Sequence, residues 1–401
     1  MRILQVVSYY PPALSFGGPP QIMFDLGRAL TAKGHEVTVY TTDVATVDNW
    51  QTRIEKKNET IDGVSIYRFG RMKYGHNLPT KFLKFSVGGV DRWRPENLES
   101  FDIVHISEIT HPLALRCSAW ANSLNIPYVV SIFGNLSSSK GRFIKALRVA
   151  FNYFWGRKML KNAAALLVQT PHEGEMCSSY TSEDKIIPMH LPVDMALFQD
   201  LPPRGRFREK YGIRETDKVI LYLGRLHHYK GVQLLIEVSA GLLNKRKGGY
   251  TLVLAGTDEG YQEFLARQIR ELDIEARVIF TGSIFGRDKL EVYQDADVFV
   301  TTPLTYEETS LAALEACACG TPVIITERNA IPGLVESEAG FQIHYDRVEL
   351  ENALLEVLDN SDYQQQMGKN ARGLIEREYA LPKVADKMEE LFSRVVEQRV
   401  A

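Results

Sequence analysis

Glu307 and Glu315, spaced as Glu-x7-Glu, flank a stretch from Ser310 to Ala312 that reads as the start of a helix, just after an apolar run typical of a buried strand. The first N–H groups of a helix lack partners within it and carry the positive end of its dipole, so they suit a phosphate. One acid before that point and one after it are placed to hold hydroxyls on either side of a diphosphate. Taken alone, the pattern also fits a first-turn acid favoured by the dipole and a solvated glutamate. A second cluster, Leu223-Gly224-Arg225-Leu226-His227-His228-Tyr229-Lys230-Gly231, sets two fixed cations at another strand end. Arginine grips phosphate bidentately and lysine acts as a point charge. The bland alternative is a solvated loop. A third candidate is Gly17-Gly18, which would let backbone approach a ligand, although a glycine pair more often marks a turn. No Gly-x-Gly-x-x-Gly fingerprint and no Walker loop is present, which argues against a dehydrogenase and a P-loop ATPase.

These residues need a scaffold, and the chain alternates strand and helix patterns almost throughout. Apolar or β-branched runs at 3–7, 37–41, 103–106, 128–132 and 165–169 predict strands, with a helix over 21–33 stopped by Gly34. Pro188, Pro192, Pro202 and Pro203 punctuate a break. Strands are then predicted at 219–223, 251–255, 278–281, 298–302 and 322–326, and helices at 232–244, 261–272 and 311–318. Three further helices start at Glu349, Asp362 and Leu381. Such alternation implies parallel sheets covered by helices. The expected α/β architecture is two Rossmann-like, doubly wound domains facing a central cleft, at 1–195 and 196–381, with a terminal helix at about 382–401 returning to the first. Ligands in such sheets bind outside the carboxyl ends of the strands.

Of the 401 residues, 45% are hydrophobic and 24% charged, which excludes a disordered or fibrous chain. The net charge of −3 argues against a nucleic-acid partner. It conceals an asymmetry, because residues 1–200 carry 22 basic and 18 acidic side chains, leaving the excess of acid to the second half. Cys117, Cys177, Cys317 and Cys319 are too few and scattered for a disulfide framework. Cys317 and Cys319 lack the second pair of ligands that structural zinc requires, so all four read as buried thiols of a cytoplasmic protein. No signal-peptide pattern and no spanning apolar segment is expected.

Together the motifs resemble the retaining glycosyltransferases of the GT-B fold, glycosyltransferase family 4. The resemblance rests on Gly17-Gly18, Gly34-His35-Glu36-Val37, Asp102-Ile103-Val104-His105, Gly224-Arg225-Leu226 with Lys230-Gly231, Leu254-Ala255-Gly256, Ala296-Asp297-Val298, and Glu307 and Glu315 followed by Gly320-Thr321-Pro322. It implies transfer of a hexosyl unit from a nucleotide-diphosphate sugar, UDP- or GDP-linked, to a glycan or lipid-linked acceptor. Cell-surface polysaccharide or lipopolysaccharide assembly is the implied setting. Arg225 and Lys230 would bind the donor diphosphate, Glu307 the donor sugar and Glu315 the ribose. Gly17 and Gly18 would meet the diphosphate, Gly282 and Ile284 would lie beside the base, and Thr309, Ser310 and Leu311 would complete the donor site. Arg225, Lys230 and Glu307 are the expected catalytic residues, with no cofactor and no metal. A catalytically silent sugar-nucleotide-binding partner, or another GT-B enzyme such as an epimerase or phosphorylase, is the alternative.

Asp295-Ala296-Asp297 has the Asp-x-Asp form of some metal sites, yet it matches the family's strand-entry motif and reads as structural. Phe133 stands where relatives commonly carry a histidine near the donor sugar, so His105, His111 and Asn135 are the polar candidates for sugar or acceptor contacts. Between Glu108 and Glu173 there is no acidic residue, while basic and aromatic side chains interleave over 143–160 and again over 71–94. Such stretches fit peripheral attachment to an anionic inner membrane face, with a polyprenyl-diphosphate-linked acceptor. A helix packed on its own domain with solvated cations fits them as well.

Overall fold

The computed structural model describes residues 1–13, 17–45, 52–70, 98–109, 111–134, 136, 156–245 and 249–400. The chain divides into two compact units, Met1–Pro192 with Leu381–Ala401, and Val193–Ala380.

In the first unit β1 (Arg2–Val6), β2 (Glu36–Thr42), β3 (Asn58–Ile61), β4 (Val64–Phe69), β5 (Ile103–Ser107), β6 (Tyr128–Ser131), β7 (Ala165–Val168) and β8 (Ile186–Pro188) form one sheet. Its order is β3-β4-β2-β1-β5-β6-β7-β8. Neighbours run parallel except β3 and β4, an antiparallel hairpin. That hairpin is absent from the strands expected above, although Asp62-Gly63, both at positive φ, supplies the turn that matches strand twist. The helix Gly18–Ala32 starts before the expected Gln21, because Pro19 and Pro20 fill first-turn positions where a missing N–H costs nothing. The helix Leu381–Val400 packs on it, burying Val384, Met388, Leu391, Phe392 and Val395. At its rim Lys33 lies 2.7 Å from both Asp386 and Glu389.

The second unit holds β9 (Lys218–Leu223), β10 (Tyr250–Ala255), β11 (Val278–Gly282), β12 (Val298–Thr301), β13 (Val323–Thr326) and β14 (Gly340–Ile343), all parallel, in the order β11-β10-β9-β12-β13-β14. The strands β9, β10, β12 and β13 are buried on both faces, so they read as continuous apolar runs. Strand order reverses at β9, whose neighbours are β10 on one side and β12 on the other. A sheet wound in both directions opens a crevice at that point, beyond the carboxyl ends of the strands.

Two glycines fix the loops there. Gly231 has φ +67°, and a Cβ on it would stand 1.8 Å from the Thr302 carbonyl oxygen. Thr302 Oγ1 donates to the Gly231 carbonyl at 3.0 Å, which fastens the loop after β9 to the loop after β12. On the other flank, a Cβ on Gly256 would stand 1.8 Å from the Gly224 carbonyl oxygen. Gly231→Ala combines a left-handed backbone with a backbone clash and should cost roughly 2–4 kcal/mol, read as a lowered urea midpoint. An unchanged midpoint would show that the two loops are not locked together.

Candidate functional site

The expected chemistry gathers on the two loops at the β9–β12 crevice. Arg225 and Lys230 lie between β9 and the helix Val232–Lys245, and Glu307 lies between β12 and the helix Leu311–Ala318. Lys230 Nζ is 2.8 Å from Oε1 and 2.8 Å from Oε2 of Glu307, so the ion pair spans the crevice. Arg225 is held from β10, whose pairing with β9 continues past the strand ends as Leu226 and Glu259 exchange backbone hydrogen bonds with Thr257 and Leu226. That places Glu259 Oε1 2.7 Å from an Arg225 guanidinium nitrogen. The other terminal nitrogen donates to the Tyr229 hydroxyl, and the guanidinium lies 5.6 Å from that ring's centre. Burial pushes the Tyr229 hydroxyl up to about 12, so it meets Arg225 as a neutral acceptor.

Glu308 and its neighbours shape the Glu307 loop. Glu307 N–H donates to the Arg328 carbonyl, and the Glu308 carbonyl accepts from Ala330 N–H, each at 2.9 Å. Between them Glu308 takes φ +58° and is buried. A left-handed glutamate is strained backbone of the kind that gathers at functional sites. Thr309 Oγ1 donates to the Ala330 carbonyl at 2.9 Å. Ser310 caps the helix, its Oγ accepting from Ala313 N–H and its own N–H donating to Asn329, both at 3.3 Å. Leu311 and Ala312 therefore keep first-turn N–H groups without an acceptor in the helix, aimed into the loop.

Glu315 follows one turn into that helix. It is no solvated acid, for Lys289 Nζ sits 2.7 Å from Oε1 and the Tyr293 hydroxyl 2.9 Å from Oε2. Both partners come from the helix Gly286–Asp295, which starts after Ile284. Gly282 has φ +69°, with open space where a Cβ would stand. In the first unit Gly17, at φ +104°, precedes Gly18, the first residue of the helix Gly18–Ala32, and among the described residues no atom beyond its chain neighbours lies within 4 Å of its absent Cβ.

The two histidine candidates lie in the first unit. His105 lies inside β5, completely buried, with Nε2 2.8 Å from Ser131 Oγ and its ring against Phe392. His111 caps the helix Pro112–Ser123 by accepting the Leu113 N–H at 3.2 Å. Both are buried and hydrogen-bonded within the first unit. Asn135 lies outside the described residues, as do 71–97 and 137–155, which carry most of the two basic stretches. At the described end of the second stretch Met159 and Leu160 are buried in their own unit's core, as the packed-helix alternative requires. Among the described residues no helix is long and apolar enough to cross a membrane.

Asp295 and Asp297 are occupied by the scaffold. Asp295 accepts the Arg208 N–H at 2.9 Å, and Asp297 binds the Val219 N–H at 2.8 Å and Arg208 at 2.9 Å. Burial opposes the Asp297 charge, but the Val219 N–H, Arg204 and Lys218 hold its carboxyl below the usual range. Burial pushes the thiols of Cys317 and Cys319 up, away from the ionised form a metal needs. Three site neighbours had no sequence signal: Glu259, Lys289 and Tyr293 become visible only when strand order brings their loops and helices together.

Residues 203–374 match the family described as glycosyl transferases group 1, and residues 17–183 match the glycosyl transferase 4-like domain. These are the two domains of a GT-B glycosyltransferase, and the chain is an enzyme of that kind. An uncharacterized glycosyltransferase of Methanocaldococcus jannaschii is 26% identical over 84% of this chain and 83% of its own length. The alpha-monoglucosyldiacylglycerol synthase of Streptococcus pneumoniae is 26% identical over 89% of this chain and 78% of its own. The same fold occurs in the sucrose-phosphate synthase of Thermosynechococcus elongatus, with a TM-score of 0.77, 20% identity and 99% of each chain covered. Anabaena HepE, solved with UDP, gives a TM-score of 0.74 at 17% identity, covering 98% of this chain and all of that one (100%).

Burial pushes His105 down to about 3 and His111 down to about 4, below the value of about 6.5 in an unfolded chain. Between pH 6.5 and 4 the unfolded chain therefore binds more protons, and stability falls as acid is added. Each histidine contributes up to about 1.4 kcal/mol per pH unit in that window. His111→Asn keeps a cap and removes one titration, so urea unfolding at pH 7 and pH 5 should show a shallower loss than in the parent protein. Equal losses would contradict the buried, neutral assignment.

Proposed function

We propose that the protein is a retaining hexosyltransferase that moves a sugar from a UDP- or GDP-sugar to a glycan or lipid-linked acceptor in cell-surface polysaccharide assembly. The Lys230–Glu307 pair across the β9–β12 crevice carries this reading, since it sets a cation and a carboxylate beside a helix N-terminus. Arg225, Lys230 and the N–H groups of Leu311 and Ala312 receive the diphosphate, with Thr309 and Ser310 holding the loop. Glu307 takes a hydroxyl of the donor sugar, Glu315 the ribose, and Gly282 and Ile284 flank the base. In the transfer, the bond from the anomeric carbon to the phosphate oxygen breaks and a bond to the acceptor oxygen forms. The acceptor's proton leaves to the departing phosphate. Arg225, Lys230 and the helix N-terminus offset the growing charge, the usual task of a metal in other transferases.

Two similarities support the substrates. HepE, of the same fold, was also solved with UDP-glucose. The pneumococcal relative is named for a glucosyldiacylglycerol, which supports a lipid-linked acceptor.

Unfolding should be followed with UDP, GDP, ADP and their sugar conjugates. One nucleotide class at about a hundred times its dissociation constant should stabilise the protein by about 2.7 kcal/mol, and Glu315→Ala should lose that shift. Lys230→Ala should lower kcat/KM for the matching donor by about 10²–10³-fold, with EDTA leaving turnover unchanged. No shift with any nucleotide would contradict the transferase reading.

A further inference from the structure

Lys289 has no part in the donor site described so far, yet it touches the carboxylate read as the ribose acceptor. It lies one turn before Tyr293 in the helix Gly286–Asp295, so both side chains leave the same face. Tyr293 is completely buried and donates its hydroxyl to Glu315 Oε2 at 2.9 Å. Its main-chain carbonyl is tied to Thr321 Oγ1 at 2.8 Å, which fixes it further. Lys289 donates to Oε1 at 2.7 Å, and the Lys289 and Glu315 side chains remain 28% and 24% exposed. The open side of the cluster therefore faces solvent.

The hydrogen-bond inventory is specific. A carboxylate accepts at about four lone-pair positions, and one on each oxygen of Glu315 is already taken. An ammonium has three donors, and among the described residues Lys289 spends one of them, on Glu315. What is left facing outward is an acceptor on each carboxylate oxygen and two adjacent donors. A vicinal diol needs that combination, since each hydroxyl donates once and accepts in return.

We propose that Lys289 is a nucleotide-binding residue that reads the ribose diol jointly with Glu315, with Tyr293 as the positioning residue that aims the carboxylate. This rests on the donor reading above and adds a source of selectivity for ribonucleotides. The probes are UDP, GDP and ADP, titrated calorimetrically into the full chain, and then the 2′,3′-dideoxy form of whichever binds. In the parent protein the ribonucleotide should bind about tenfold or more tighter than its dideoxy form. Lys289→Met should weaken the ribonucleotide about tenfold while leaving the dideoxy form nearly unchanged, so that the ratio collapses toward one. Lys289→Arg should restore most of it, and Tyr293→Phe should lower the ratio in part. A ratio unchanged in Lys289→Met, with binding still lost in Glu315→Ala, would overturn the proposal and leave the donor reading standing. Binding of no nucleotide, or full binding by Glu315→Ala, would overturn both. Because Lys289 is partly exposed, its variants should match the parent in thermal midpoint, which separates loss of recognition from loss of fold.

Discussion

A parallel sheet that is wound in both directions from one strand must part its loops at that strand, and here the strand is β9. Everything chemical in the second unit follows from that parting. The loop leaving β9 and the loop leaving β12 face each other across the gap, and Lys230 and Glu307 close it with an ion pair. The pair has meaning only because the backbones beneath it are locked. Gly231 lies against the Thr302 carbonyl so closely that no side chain fits between them. Residues 307–310 are stitched to 328–330, partly through a buried, left-handed Glu308. Such fixed loops hold charges at set positions, which is worth more to a charged transition state than flexible charges of the same sign.

The cations of the site arrive already paired: Arg225 with Glu259, Lys230 with Glu307 and Lys289 with Glu315. Each pair is partly exposed and contributes little to stability. Its effect is on geometry, because a paired side chain has already given up the rotamer freedom that ligand binding would otherwise cost. The pairing also keeps these loops from presenting bare positive charge to water. The deeply buried pair, Arg208 with Asp297, lies instead at the other end of the strands and joins β9, β12 and the preceding helix. An Asp-x-Asp sequence thus serves the scaffold while carboxylates from three separate elements serve the site.

Much of this was legible in the sequence, for physical reasons. Buried parallel strands must be continuous apolar runs, and helices over them must repeat near every fourth residue, so the alternation and the break between the units could be read. The Glu-x7-Glu spacing was legible because one helix carries most of it. What could not be read depends on strand order. Glu259, Lys289 and Tyr293 come from neighbouring loops and helices, and nothing in their local sequence marks them. The β3–β4 hairpin escaped because its strands are short and its outer one is half-exposed. His105 is a candidate in the sequence only because Phe133 stands where relatives carry a histidine, whereas its complete burial and its contact to Phe392, from the far end of the chain, depend on the fold.

We place the proposed nucleotide-sugar site on the loops at the β9–β12 crevice, with the start of the helix Gly286–Asp295. Hydrogen–deuterium exchange of the full protein, with and without a saturating nucleoside diphosphate sugar, tests it most directly. Slowed exchange should fall on 224–231, 283–290 and 306–315, with the strands of the second unit little changed. Protection absent from those three segments, or confined to segments elsewhere in the chain, would contradict it.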